Sequence, residues 1–265
     1  MERVTPADSI DDALDELQKR VMRRVLAEEE AKRAHLVVYL SGAHAYGFPS
    51  PDSDLDLKAI HVARATELLD FAPPNPTFDR AEVIDAVEID YTSNELAHAL
   101  AGILDGNGNY IERVLGRMVA QGSPLLVELR PLVRRALSRR AHRHYRGFAM
   151  NQLRSLERRP TVKALLYVLR TALTGIHLLE TGELETDLIR LAAQHDLDDA
   201  LELVRLKRAG ERVALDETLL TTWRPRVEAL FVELDEAKEA SALPEAPDER
   251  ELRDWMLDVR RRSLG

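Results

Sequence analysis

Two aspartates one residue apart, Asp54 and Asp56, follow a short glycine turn, Ser41-Gly42-Ala43-His44-Ala45-Tyr46-Gly47. In a strand, residues i and i+2 point to the same face. The two carboxylates then lie side by side, and like charges that close need a cation between them. A hard divalent ion with oxygen ligands, Mg²⁺ (or Mn²⁺), is the natural partner. The turn leaves an apolar run at residues 36–40, and such turns bring backbone N–H groups close to phosphate oxygens. Turn and carboxylates together describe a site for a metal-bound nucleoside triphosphate.

The chemistry open to such a site is nucleotidyl transfer. It requires the triphosphate to be held, the attacking oxygen activated and the pyrophosphate charge neutralised. Two metal ions about 3.5–4 Å apart can do the last two, with a third carboxylate from a neighbouring strand. In a strand expected over residues 81–91, Glu88 and Asp90 share the required parity and Asp85 has the opposite one. Asp90 is preferred because it lies near the expected strand end. Asp52 fits a turn former, since Pro51-Asp52-Ser53-Asp54 is turn chemistry. Asp56 does not, because a carboxylate inside an apolar strand is costly unless partnered. His44 is a base or a base-stacking group at most. His142 and His144 show no metal-ligand spacing. Arg170 and His177 match the Arg-x₆-His spacing of helical ribonucleases, which arises easily by chance on an apolar helix.

These residues need elements to position them. Ser9 is expected to cap a helix reaching residue 34, with Leu14, Leu17, Val21 and Val25 at helical spacing. Strands are expected at 36–40 and 55–62. Pro73, Pro74 and Pro76 mark a loop, and a helix over 94–104 closes at Asp105-Gly106-Asn107-Gly108. Tyr110 begins a short helix. Beyond about residue 130 the pattern is helical: Thr161 caps a long apolar helix ending at Gly182, and later helices fall near 185–195, 199–208, 216–242 and 248–262. The expected division is a catalytic domain over 1–125 and a helical domain over 126–265.

The chain has 265 residues, 45% of them hydrophobic, which supports a real core. It has no cysteine, which excludes disulfides, thiolate metal sites and cysteine nucleophiles. No signal-peptide pattern and no apolar run of membrane-span length is expected, so a cytoplasmic location is anticipated. The net charge of −9 hides an asymmetry. From Arg130 to Arg170 there are twelve Lys or Arg and one acid, Glu157, a local balance of +11 against −20 elsewhere. Such a block is an electrostatic footprint for phosphate, with Arg139, Arg140 and Arg143 expected to be exposed members.

The string from Gly42 to Gly47, followed by Pro51-Asp52-Ser53-Asp54-Leu55-Asp56-Leu57, resembles the active-site signature of the DNA polymerase β nucleotidyltransferase superfamily. Within it, the chain most resembles the predicted nucleotidyltransferase family that includes bacterial RNA-repair-associated members. Gly106-Asn107-Gly108-Asn109 with Ile111-Glu112, His144-Tyr145-Arg146-Gly147-Phe148, Lys163-Ala164-Leu165, Thr181-Gly182-Glu183-Leu184 and Leu243-Pro244-Glu245-Ala246-Pro247-Asp248 extend the resemblance over residues 36–260. It implies an α+β fold, a minimal nucleotidyltransferase mixed sheet with flanking helices followed by an all-helical C-terminal domain, with the nucleotide in the cleft between them. It implies that Asp54, Asp56 and Asp90 carry the metal ions and that Gly42 and Ala43 hold the triphosphate. Lys163 and Arg170 are then cations set against that triphosphate. The superfamily usually has Gly-Ser where this chain has Gly42-Ala43. A hydroxyl donor worth about 1.5–3 kcal/mol against a charged group is lost; either Ser41 or Ser53 replaces it, or nucleotide affinity is weakened or the substrate differs. The implied reaction moves a nucleoside monophosphate from a nucleoside triphosphate to a hydroxyl, with RNA the expected acceptor. A toxin–antitoxin transferase acting on a partner protein, and a nucleotide- or RNA-binding module without turnover, are the alternatives.

Overall fold

The computed structural model describes residues 4–210 and 213–263. In chain order its elements are α1 (Ile10–Ala13), α2 (Glu16–Glu30), β1 (Ala34–Leu40), α3 (Gly42–Ala45), β2 (Leu55–Val62), α4 (Ala65–Leu68), β3 (Thr77–Ile84), β4 (Val87–Glu95), α5 (Leu96–Leu104), α6 (Gly108–Leu115), β5 (Val119–Gly122), α7 (Pro124–Arg135), α8 (Ala141–Arg158), α9 (Val162–Thr181), α10 (Leu188–Gln194), α11 (Ala200–Arg208), α12 (Glu217–Ala240) and α13 (Arg250–Arg262). The chain folds into two compact units. A sheet unit takes Asp8–Gly42, Asp54–Leu137 and residues 246–263; a helical unit takes Ala43–Ser53, Ser138–Glu245 and residues 4–7. The stretch between β1 and β2 therefore packs with the helices rather than with its neighbouring strands.

The sheet unit is built on five strands in the order β3-β4-β2-β1-β5. Strands β2 and β4 run parallel, and the other neighbours are antiparallel. Strand β1 is its spine: Leu36, Val37, Val38, Tyr39 and Leu40 are buried, as a central strand covered on both faces requires. Strand β2 alternates instead. Leu55, Leu57 and Ala59 are fully buried, while Asp56 and Lys58 between them remain part-exposed. The period of two thus sorts the apolar residues to the core and the charged ones to the other face.

Three departures from expectation have local causes. The first helix breaks at Leu14, because Asp15 opens α2 with a capping box, accepting from Gln18 N while the Gln18 side chain accepts from Asp15 N. An aspartate is worth more at such a cap than in a helix interior. The single strand expected over 81–91 is the hairpin β3–β4, turning at Asp85 and Ala86 with φ of 50° and 66°. No glycine marks that turn, so the usual hairpin signal is missing. The third concerns α9, which is long and apolar enough, by length and composition, to cross a membrane, against the expectation that no run approaches that size. Here 83% of that apolar window is buried inside the protein, so α9 is the core helix of the helical unit.

Helix α6 is tied to the sheet by a buried cation. Arg113, 6% exposed, donates to the Ala59 carbonyl (3.0 Å) and to Asn94 Oδ1 (2.5 Å). Asn94 in turn donates to Thr77 Oγ1 at 2.8 Å, so Arg113 and Asn94 together link β2, β4 and β3. Arg113→Met keeps much of the volume and removes the donors. It should cost about 2–4 kcal/mol in urea unfolding; a loss below about 1 kcal/mol would show that packing alone holds α6.

Candidate functional site

The parallel pairing of β2 with β4 sets Asp56 opposite Asp90 and Leu57 opposite Tyr91. Ile89 and Tyr91 are buried, so Asp90 projects to the exposed face, as does Glu88. Residues opposite one another on adjacent strands share a face, and Asp56 and Asp90 are therefore direct neighbours. Asp54, exposed, lies just before β2 at the parity of Asp56. The hairpin removes the strand end near which Asp90 was expected. Asp90 is the fourth residue of β4 rather than a residue near the end of a long strand, and it is the register that sets it beside Asp56.

Lys58, two residues beyond Asp56, points the same way. Its Nζ lies 2.8 Å from Asp90 Oδ2, 3.8 Å from Asp56 Oδ1 and 3.4 Å from the Asp90 carbonyl. The other oxygen of Asp56 is turned to the glycine turn: a Cβ on Gly42 would meet Asp56 Oδ2 at 2.0 Å. Gly42 also has φ of +65°, so both backbone conformation and space demand glycine there. The turn closes as Ser41 N donates to the Asp56 carbonyl at 2.7 Å. Sequence reasoning passed over Lys58, although its parity with Asp54 and Asp56 in an apolar strand was a readable signal.

Asp56 and Asp90 offer the oxygen donors a hard divalent ion takes, and already draw a cation to themselves. Among the described residues, no group of three or more His, Asp or Glu side chains stands ready to hold a metal ion.

In the helical unit, the segment Ala43–Ser53 is held by buried polar and aromatic groups. Ala43 is buried and its carbonyl accepts from Phe48 N at 3.1 Å. Arg170, 3% exposed, stacks its guanidinium on the Tyr46 ring, 3.5 Å from the centroid. Tyr167 packs edge-on against Tyr46 and Phe48. Lys163 lies on the same stripe of α9, one turn before Tyr167. His44 is buried, and His177 is two helical turns beyond Arg170 with its basicity lowered by burial.

Lys207 of α11 is fully buried and donates to Ser50 Oγ at 2.6 Å. Ser50 Oγ and Ser53 Oγ are 3.1 Å apart, and Ser53 Oγ accepts from Ser50 N at 3.0 Å. Asp187 caps α10 through Ile189 N and Arg190 N. Its carboxylate lies against Gly47 (φ +85°), where a Cβ would meet both oxygens at 2.8 Å. Burial pushes the Asp187 carboxyl up to about 6. Lys207 carried no signal in the sequence, because it meets Ser50 more than a hundred residues away in the chain, and Asp187 reads locally only as a helix cap.

The basic block is partly structural. Arg139, expected to be exposed, is half-buried and donates to the Leu243 (3.0 Å) and Ser241 (2.6 Å) carbonyls and to Glu245 (2.8 Å). His142 and Arg146 both reach Asp235 Oδ1, at 2.7 and 2.8 Å. In the sheet unit, Arg130 donates to the Val114 and Gly116 carbonyls. Arg140, Arg143, Arg154, Arg158 and Arg159 are exposed.

Residues 17–258 match the model of the RNA repair pathway DNA polymerase beta family (RlaP), and the chain belongs to that family. It is similar to an uncharacterized protein of Methanocaldococcus jannaschii, with 26% identity over 224 residues covering 81% of this chain and 88% of that protein. A nucleotidyltransferase-like protein from Exiguobacterium sibiricum 255-15, known from a crystal structure, aligns over 92% of this chain and 80% of its own at 14% identity, with a TM-score of 0.33. The family assignment rests on the first of these matches.

Two outcomes test this geometry. Gly42→Ala should destabilise the protein by about 1–3 kcal/mol through its positive φ, with the clash on Asp56 adding to the loss; an unchanged thermal midpoint would refute the close approach. Asp187 holds its proton more tightly folded than unfolded, so its contribution is full below about pH 3.8 and is lost as pH rises through about 6. Asp187→Asn keeps a capping oxygen and should gain on the parent progressively over that range, by up to about 3 kcal/mol above pH 6. Urea unfolding at a series of pH values reads this difference, and a difference independent of pH would contradict it.

Proposed function

We propose that this protein transfers a nucleoside monophosphate from a nucleoside triphosphate to a hydroxyl acceptor, an RNA end, with release of pyrophosphate. The observation that carries the reading is the placement of Asp56 and Asp90 as direct neighbours on parallel strands, with Asp54 at the same parity. Asp54, Asp56 and Asp90 are the residues to hold Mg²⁺ or Mn²⁺. When bound, such ions orient the triphosphate and neutralise the charge of the departing pyrophosphate. Asp90 is the more exposed of the neighbouring pair, with 54% of its side chain open against 28% for Asp56. It is the carboxylate an incoming hydroxyl reaches first, and its role is to take that hydroxyl's proton.

Gly42 leaves room for the Asp56 carboxylate beside the turn backbone. Ala43 brings no hydroxyl to a phosphate, and Ser53 is the nearest hydroxyl in sequence to the aspartate pair. Within the helical unit, Arg170 clamps the segment that follows Gly42 by stacking on Tyr46, and Lys163 is a cation proposed to meet a phosphate. Two features support RNA as the acceptor: the family's association with RNA repair and the exposed arginines Arg154, Arg158 and Arg159 toward the end of α8. Phosphate contacts of that kind bind without regard to base sequence.

The test is incubation with each of four α-labelled nucleoside triphosphates, Mg²⁺ or Mn²⁺, and total cellular RNA and protein. Label should enter the RNA pool. Asp54→Asn and Asp56→Asn should each reduce transfer at least about a hundredfold while remaining folded, and Asp90→Asn should lose most activity while Glu88→Gln loses little. Label in protein instead would identify a partner-modifying transferase. Nucleotide binding without label transfer to either pool would identify a binding module.

A further inference from the structure

The carboxylate pair of the sheet unit already has a cation, and that cation belongs to the protein. Lys58 Nζ lies 2.8 Å from Asp90 Oδ2 and 3.8 Å from Asp56 Oδ1. Strand parity puts Lys58 on the carboxylate face of β2, and the other basic residue of that strand, His61, has the opposite parity. The two oxygens of Asp56 are divided between two neighbours, Oδ1 toward Lys58 and Oδ2 toward Gly42. Lys58 sits where a divalent ion shared by Asp56 and Asp90 would need to be.

We propose that Lys58 is the resident counter-cation of this pair, that a divalent ion must displace it, and that the freed ammonium then binds a phosphate of the nucleotide. The inference rests on the nucleotidyltransferase reading above. One ammonium offsets only half the charge of two carboxylates, so a divalent ion is the better electrostatic match. An ammonium on a flexible four-carbon stem can leave without moving the strand. Once displaced it seeks another anion, and the triphosphate is the anion that arrives with the metal. Metal alone must therefore work against Lys58, whereas metal with nucleotide gives the lysine a new partner. The device makes the site prefer the metal–nucleotide complex to the bare ion.

The experiment measures Mn²⁺ binding to the full chain, without nucleotide, by electron paramagnetic resonance. Lys58→Met keeps the stem and removes the charge, and should bind Mn²⁺ about fivefold more tightly than the parent. Lys58→Arg keeps the charge and should behave like the parent. With Mn²⁺ saturating, a non-hydrolysable triphosphate analogue should bind Lys58→Met more weakly than the parent, again by about fivefold. Mn²⁺ affinity in Lys58→Met equal to or below that of the parent overturns the counter-cation role. Unchanged analogue binding overturns the phosphate role. Asp56→Asn separates this failure from failure of the functional reading. If it abolishes Mn²⁺ binding while Lys58→Met leaves affinity unchanged, only the lysine proposal falls. If the parent binds no Mn²⁺ with or without analogue, the metal reading falls and the lysine proposal with it.

Discussion

The repulsion between two carboxylates held side by side is the constraint around which the sheet unit is arranged. Asp56 and Asp90 could not share a face without the register of β2 against β4, and that register is set by burial. Leu55, Leu57 and Ala59 on one strand and Ile89 and Tyr91 on the other go to the core together. A slip of one residue would send every one of them to the opposite face, so the acidic pair is placed by the apolar residues between which it is threaded. Lys58, by the same alternation, arrives on the face where the charge must be balanced. Gly42 supplies the remaining requirement, a backbone with no side chain where Asp56 needs room.

The helical unit solves a different problem. A stretch of irregular backbone, Ala43–Ser53, has to be kept in one conformation although few of its residues can join a ladder. The solution is a set of specific contacts: a guanidinium flat on Tyr46, a carboxylate against Gly47 and a buried ammonium on Ser50. The first and the last are buried charges with an aromatic and a polar partner, and the carboxylate accepts from the backbone of its own helix. Such arrangements contribute little net stability, but they are costly to disrupt on one side only. They specify a conformation rather than reinforce the core. Several arginines of the basic block serve the same end, since Arg139 satisfies the carbonyls of the turn after α12.

Much of the fold was legible because it follows from local chemistry. The apolar run of β1, the alternation of β2, the cap of Thr161 on α9 and the glycine turn before paired aspartates are properties of short windows. The hairpin at Asp85-Ala86 was not legible, because its left-handed turn uses no glycine. The break at Asp15 was missed because the helical period continues through it, and only the reciprocal Asp15–Gln18 bonds show that a new helix begins.

The sequence by itself yielded the aspartate pair, the glycine beside them, a third carboxylate narrowed to Glu88 or Asp90, and the family, because these depend on residue type, parity and spacing along one chain. Only the tertiary structure decided that β4 lies parallel to β2 with Asp90 opposite Asp56, that Lys58 balances them, and that the segment after Gly42 is held by Arg170 and Lys207. The physical reason is distance in the chain. Parity tells a residue's face within its own strand, but which strand lies alongside, and which buried charge meets which partner, is settled by how the whole chain buries its apolar surface.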